Sequence, residues 1–272
     1  MLLGYNQQRP GIGNYNTFLD TLTEGLQELG DDRLSLMVYG SYVRGEMDVG
    51  RSDIDALMLF DGEVVLDKKQ LALCSKALAR ALLGNNVPFQ VTLSDMVTMR
   101  DGRFNSYNPS FAGYFKDEAV ILVGPDYRGQ LKFEMPQHPE QGPLTFNLRK
   151  CRQGLFFAEY DQEHDYESFL RKFTKSLDAV SRGSKQVLFM ADGQLTTNRF
   201  SALHRITQEF PLLDPEPLIG IKELYNHPEK LDALYTRPQE VLKVWNSAVS
   251  FLERMIGEYI KRFPNPSKIA GG

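Results

Sequence analysis

Cysteine is scarce in this chain: Cys74 and Cys151 are the only two among 272 residues. Neither belongs to a CxxC pair or stands at ligand spacing from a histidine, so the sequence offers no disulfide framework and no structural zinc site. Two idle or buried thiols in a reducing compartment are the expectation. The four histidines, His138, His164, His204 and His227, are scattered without helical ligand spacing. No stretch approaches the ~20 apolar residues of a membrane span. The start, MLLGYNQQRPG, lacks a basic segment leading into a long apolar run, which argues against a signal peptide and for the cytoplasm. An excess of positive charge is also missing. The net charge is −4, which gives no support to wholesale nucleic-acid binding but says nothing of a local basic patch.

What is present is an ordinary globular composition, 42% hydrophobic and 24% charged, in a chain long enough for one large domain or two smaller ones. Asn14 is a candidate helix N-cap. From Tyr15 to about Leu29 the apolar residues Phe18, Leu19, Leu22, Leu26 and Leu29 recur at three- and four-residue spacing, as on an amphipathic helix. Short apolar runs at Leu34–Tyr39, Ile54–Phe60, Phe89–Leu93 and Ala119–Val123 have strand character, and Lys69–Leu83 reads as a helix between the second and third. This alternation predicts a mixed α/β domain over the first ~125 residues. Residues Tyr127 to Gly142 are rich in Pro, Gly and Gln and read as a linker. Beyond Leu144 helical patterns dominate, at about Leu144–Tyr160, Tyr166–Met190, Thr197–Glu209 and Glu240–Arg262.

The chemistry concentrates in Tyr39-Gly40-Ser41, followed after a polar stretch by Asp53-Ile54-Asp55. A strand delivers the chain to Gly40, where glycine tolerates a tight turn and lets a phosphate approach closely. Ser41 adds a hydroxyl, and a helix starting near Tyr42 would present unpaired N–H groups to an anion. Asp53 and Asp55 stand two apart at a strand start, so both side chains fall on one face. Two adjacent carboxylates repel each other, and a hard divalent cation such as Mg²⁺ relieves that repulsion. A Gly-Ser turn alone is a common turn, and Asp-x-Asp alone is often a solvated strand end. The combination of strand, Gly-Ser, short helix, Arg44-Gly45, polar loop, Ser52-Asp53-Ile54-Asp55 and apolar strand is far more selective.

The run YGSYVRGEMDVGRSDIDALMLF resembles the signature of the DNA polymerase β-like nucleotidyltransferase superfamily, and in particular its bacterial minimal and antibiotic-modifying members. The resemblance is strongest over Met37–Phe60 and extends to ILVGPD, which is similar to the family's end-of-domain strand and turn. It implies that Gly40 and Ser41, with Arg44 beside them, hold the triphosphate and that Asp53 and Asp55 bind Mg²⁺. It also implies an α/β (α+β) nucleotidyltransferase domain with a small mixed sheet over residues 1–126, a linker at 127–143 and an all-α helical bundle at 144–272 that holds the acceptor. The segment SKQVLFMADGQLTTNRFSALHRITQEFP resembles the helical region of streptomycin/spectinomycin-modifying enzymes, which places Lys185 and Arg199 as cations reaching back to the phosphates. The implied activity is transfer of a nucleoside monophosphate, AMP from ATP, to a hydroxyl of a small acceptor such as an aminoglycoside. The alternatives are a protein- or tRNA-modifying transferase of the antitoxin type and a degenerate module that binds nucleotide without turnover.

The sequence departs from the family pattern in one place. Members carry a third carboxylate on a neighbouring strand, and the matching position in VPFQVTLSD is Gln90. Glutamine is neutral and cannot act as a general base. Three explanations stand: a natural glutamine with the base elsewhere, a lost activity, or a deliberate replacement of a glutamate. Replacement bases are Asp95, Asp101 and the cluster Glu159, Asp161, Glu163 and Asp165. The stretch MRDGRFNSYNPSF reads as a loop shaping the substrate site, with Arg103 as a candidate phosphate ligand.

Overall fold

A computed structural model of the protein describes residues 9–266 apart from 106, 108, 195, 197–199 and 201. Helix α1 (Ile12–Gln27) opens the fold. Its N-cap is Gly11, not Asn14; Asn14 sits one turn in, and its Oδ1 accepts the Gly11 N–H at 2.9 Å. The buried stripe Tyr15, Phe18, Leu19, Leu22 and Leu26 follows the helical period. Strand β1 (Leu34–Tyr39), the one-turn helix α2 (Ser41–Arg44), strand β2 (Ile54–Phe60), helix α3 (Lys68–Leu82) and strand β3 (Phe89–Asp95) come next. Asp67 caps α3 by accepting the Lys69 and Gln70 N–H groups. Helix α4 (Met96–Asp101), a π-helical turn at Tyr114–Glu118 and strand β4 (Val120–Val123) complete this half.

The sheet is mixed, in the order β3-β2-β1-β4, with β2 and β3 parallel and the other pairs antiparallel. Alternation along the strands divides it into two faces. One carries Leu36, Val38, Ile54, Ala56, Met58, Val91 and Leu93, and α1 and α3 cover it. There α1 and α3 cross so closely that a Cβ on Gly25 would stand 3.1 Å from the Ala77 Cβ. The opposite face carries Met37, Tyr39, Leu57 and Leu59 and is closed by Met96, Met99, Tyr107, Phe115, Tyr127 and Leu131. After β4 the chain turns at Gly124, whose φ is +75° and whose added Cβ would lie 1.8 Å from the Leu34 carbonyl oxygen, so only glycine fits.

No helix or strand forms from Leu131 to Glu140. From α5 (Gln141–Phe156) onward every regular element is helical among the described residues: α6 (Ala158–His164), α7 (Tyr166–Asp192), α8 (Ala202–Glu209), α9 (Glu216–Asn226), α10 (Pro228–Tyr235) and α11 (Pro238–Arg262). The fold class is thus a small mixed α/β sheet domain followed by a helical bundle. Helices α5, α7 and α11 pack around the fully buried Trp245, whose ring lies 5.6 Å from Phe169 and 6.0 Å from Phe173. The hydrophobic cluster on the α1/α3 face of the sheet continues without a break into this bundle. No described helix is long and apolar enough to cross a membrane. Cys74 and Cys151 are both buried, and burial pushes each thiol up to about 12, so neither is a reactive thiolate.

Candidate active site

The ends of β1, β2 and β3 place Tyr39, Asp55 and Gln90 in one cross-strand row: Tyr39 pairs with Asp55 in the antiparallel register, and Asp55 pairs with Gln90 in the parallel one. Paired residues share a face, so all three project toward the same side. Asp53 shares that side by the period of two. The loop leading to it is pinned by three hydrogen bonds. The Asp48 N–H donates to Ser52 Oγ (2.8 Å), the Ser52 N–H to the Asp48 carbonyl (2.9 Å) and the Tyr15 hydroxyl to the Ser52 carbonyl (2.7 Å).

Gly40 lies at the crux of the turn. Its φ of +83° and ψ of −155° belong to a region open to glycine, and a Cβ there would stand 2.8 Å from Asp55 Oδ2. The turn therefore lets the Asp55 carboxylate lie against the backbone. Gly45, in the left-handed conformation, ends α2 after a single turn and leaves Arg44 at its last position.

A cleft of about 410 Å³ opens here, lined by Tyr39, Gly40, Ser41, Arg44, Asp55 and Gln90, with Tyr107, Phe111 and Tyr114 on one wall and Arg149 of α5 on the other. Burial, reinforced by the charge of Asp53, pushes the Asp55 carboxyl up to about 6, with Arg44 opposing. Asp55 lines the cleft while Asp53 does not, but the two carboxylates repel each other and form a donor set suited to a divalent cation. Among the described residues no cluster of three or more His, Cys, Asp or Glu side chains gathers at one point. The pair is not extended to a triad because Gln90 occupies the next place in the row.

Two charged side chains that the sequence did not single out complete the site. Glu118, on the π-helical turn, accepts the Gly40 N–H at 2.6 Å and two Arg44 Nη1 bonds at 3.0 and 2.9 Å. A carboxylate thus stands on the backbone donor and the guanidinium that the motif offers to an anion. Arg149 faces the cleft from the helical half. Its Nε is buried and meets no hydrogen-bond acceptor among the described residues, while its guanidinium lies 5.2 Å from the Phe146 ring centre. The signal was present as the basic run Arg149-Lys150-Cys151-Arg152 in the first helix after the linker. Only tertiary packing shows which of these cations faces the cleft.

The other candidates fall elsewhere. Lys185, in the last third of α7, does not line the cleft. Arg199 lies outside the described residues. Arg103 is buried and bonded to Asp101 (2.8 and 3.0 Å) and to the Phe263 carbonyl, a structural tie between the sheet domain and the end of α11. Asp95 is buried against Arg152 at 2.8 Å. Asp161 pairs with Lys172, Asp165 caps α7, Glu163 is exposed and the Glu159 N–H bonds Ser75 Oγ. None of the proposed replacement bases lines the cleft. The aromatic stretch after β3 does contribute to it, through Tyr107 and Phe111, although its first part is helix α4 and not loop.

Residues 19–87, which hold the Gly-Ser turn and both aspartates, match the nucleotidyltransferase domain family model. No curated protein matches the chain. Among solved structures, a spectinomycin adenyltransferase, AAD(9) from Enterococcus faecialis with ATP and spectinomycin, is similar at 12% identity and a TM-score of 0.32, over 88% of this chain and 99% of that one.

Proposed function

Taking residues 19–87 as a nucleotidyltransferase domain, we propose that the protein transfers a nucleoside monophosphate, AMP from ATP, to an acceptor hydroxyl and releases pyrophosphate. The observation that carries this reading is the pairing of Asp53 and Asp55 beside the Gly40 turn, with Arg44 and Arg149 facing the same cleft. Asp53 and Asp55 would hold Mg²⁺, which supplies charge neutralisation at the phosphates. The Gly40 N–H and the Ser41 hydroxyl bind phosphate oxygens once Glu118 gives way. Arg44 and Arg149 offset the charge that builds on the leaving pyrophosphate. Arg149, with a buried Nε lacking an acceptor among the described residues, adds a helical-domain cation to the expected Lys185, which does not line the cleft, and Arg199, which lies outside the described residues. Tyr107, Phe111 and Tyr114, which line the cleft, supply aromatic rings for contact with a base or an acceptor ring.

Gln90 supports a second reading, a module that binds nucleotide without turnover. It stands beside Asp55, where it can orient a hydroxyl through its amide but cannot take a proton. The deciding measurement is Mg²⁺-dependent pyrophosphate release from ATP, by the protein and by Gln90→Glu, with an acceptor panel that begins with the aminoglycosides the resemblance implies. Release by the unaltered protein that is lost in Asp53→Asn and Asp55→Asn establishes the transferase. Release by Gln90→Glu alone makes Gln90 the block. ATP binding with no release from either protein on any acceptor favours the binding module.

A further inference from the structure

A second and larger concavity, about 590 Å³, runs between α5 and α7. Its floor is made of small side chains: Cys151 and Gly154 from α5, Ser176 and Ala179 from α7. Its rim carries Lys150, Arg171, Lys172, Lys175 and Arg182, five cations with no Asp or Glu among the lining residues. In a chain of net charge −4 this is a strong local concentration of positive charge. Lys172 pairs with Asp161, and Arg182 approaches Asp178 at 3.4 Å. Lys150, Arg171 and Lys175 have no carboxylate partner among the described residues; Lys150 bonds the Gln153 amide and Arg171 the Ser168 hydroxyl. Burial and the nearby cations Arg149, Lys172 and Lys175 lower the Lys150 pKa, so this rim is crowded with like charge.

Arg171, Lys175 and Arg182 fall on one face of α7, and the span from the first to the last is ~16 Å of helix. One phosphate is satisfied by two or three of these groups; a row of this length matches several phosphates in succession. Two aromatic rings accompany the row. Phe157 has Lys172 Nζ 5.0 Å from its centre, and Phe146, 48% exposed, has Lys150 Nζ at 5.8 Å. The Arg149 guanidinium, which lines the cleft, lies 5.2 Å from the centre of the Phe146 ring, which lines the groove, so the two neighbour each other there. Cations tracking a backbone, with aromatic faces between them, are how single-stranded nucleic acid is held without sequence preference.

We propose that the α5/α7 groove binds a single-stranded RNA segment whose end enters the cleft as acceptor. This rests on the transferase reading for the fate of that end, but not for the binding. A polycationic aminoglycoside has no complement in this groove. The groove also accounts for how a chain without a basic excess can bind nucleic acid, through a local patch that the net charge hides.

The test is fluorescence anisotropy of a labelled twelve-nucleotide single-stranded RNA of mixed sequence on the full chain, without ATP, across a salt series. We expect binding whose logarithm falls linearly with the logarithm of salt. The triple variant Lys150→Gln, Arg171→Gln, Lys175→Gln should bind at least about tenfold more weakly, with a slope shallower by about 0.7 for each phosphate no longer neutralised. Thermal denaturation of the variant is run alongside; these side chains stand on the rim of the groove, and its transition should match that of the unaltered protein. Absence of RNA binding at low salt, or equal binding by a folded triple variant, overturns the proposal. So does complete displacement of the RNA by ATP alone with no effect from the three substitutions, since the RNA would then lie in the cleft. RNA binding without pyrophosphate release when ATP and Mg²⁺ are added leaves the groove standing and overturns the RNA end as acceptor. Release on a small acceptor with no RNA binding overturns the groove and leaves the transferase reading standing.

Discussion

At the residue scale the site depends on how close a carboxylate can come to backbone. Gly40 combines a positive φ with an Asp55 oxygen where a Cβ would go. Gly40→Ala therefore has to move the turn or the aspartate. We expect ATP affinity, read by isothermal titration calorimetry, to fall by more than about tenfold, with a stability loss of about 1–3 kcal/mol from the backbone strain. Glu118 works in the opposite direction. It occupies the Gly40 N–H and Arg44, so on the proposed function a nucleotide has to displace it. Glu118→Gln keeps the shape and removes the charge, and Mg·ATP should bind about threefold to tenfold more tightly because charge-assisted bonds to the carboxylate no longer compete. Unchanged or weaker binding would mean that Glu118 supports the turn and does not compete for it. Gly40, Ser41, Arg44 and Asp55 were legible because their meaning is local: a strand end, a turn and a period of two. Glu118 was not, since it reaches Gly40 from 78 residues away.

At the element scale α5 and α11 are held at a short separation by a glycine. Gly154 of α5 faces the Trp245 ring, and a Cβ there would stand 2.8 Å from Trp245 Cζ2. The ring is fully buried among Phe169 and Phe173 and has little room to give. Gly154→Ala should cost about 1–3 kcal/mol by overpacking, measured by chemical denaturation, and should push α5 away from α11. Periodicity located the strands and the long helices to within a few residues. It missed α4, and it missed α9 and α10, which are short and each begin with a proline in the first turn. Helix α9 shows only Leu218 and Ile221 buried and α10 only Leu234, so neither has a stripe long enough to stand out.

Across the whole molecule the sheet domain and the bundle are joined through a buried charge cluster. Arg152 of α5 donates to Asp95 at the end of β3, to Glu253 of α11 and to the Val64 carbonyl, while Lys68 of α3 reaches the same glutamate. All three of Arg152, Asp95 and Glu253 are essentially without solvent exposure. Arg152→Ala would leave two buried carboxylates, of which only Glu253 keeps a cation, Lys68. The expected loss is about 3–5 kcal/mol in denaturant unfolding, because an uncompensated buried charge is costly. The same tie holds α5 beside β3 and so keeps Arg149 at the cleft. Its removal should therefore lower ATP affinity as well as stability.

The mixed sheet followed by helices, the Gly-Ser turn and the paired aspartates could all be read along the chain, because each rests on short-range periodicity and backbone chemistry within about twenty residues. Gln90 stood out only through the family resemblance, at the place where members carry a third carboxylate, and the strand register sets that glutamine beside Asp55. Folding in three dimensions was needed to settle which cations face the cleft, which carboxylates are spent in buried ion pairs, and that five basic side chains from two helices gather in one groove. Charge is additive along a chain, so composition sees only the total. A site responds to where the charges lie in space, and that is set by how helices far apart in sequence pack together.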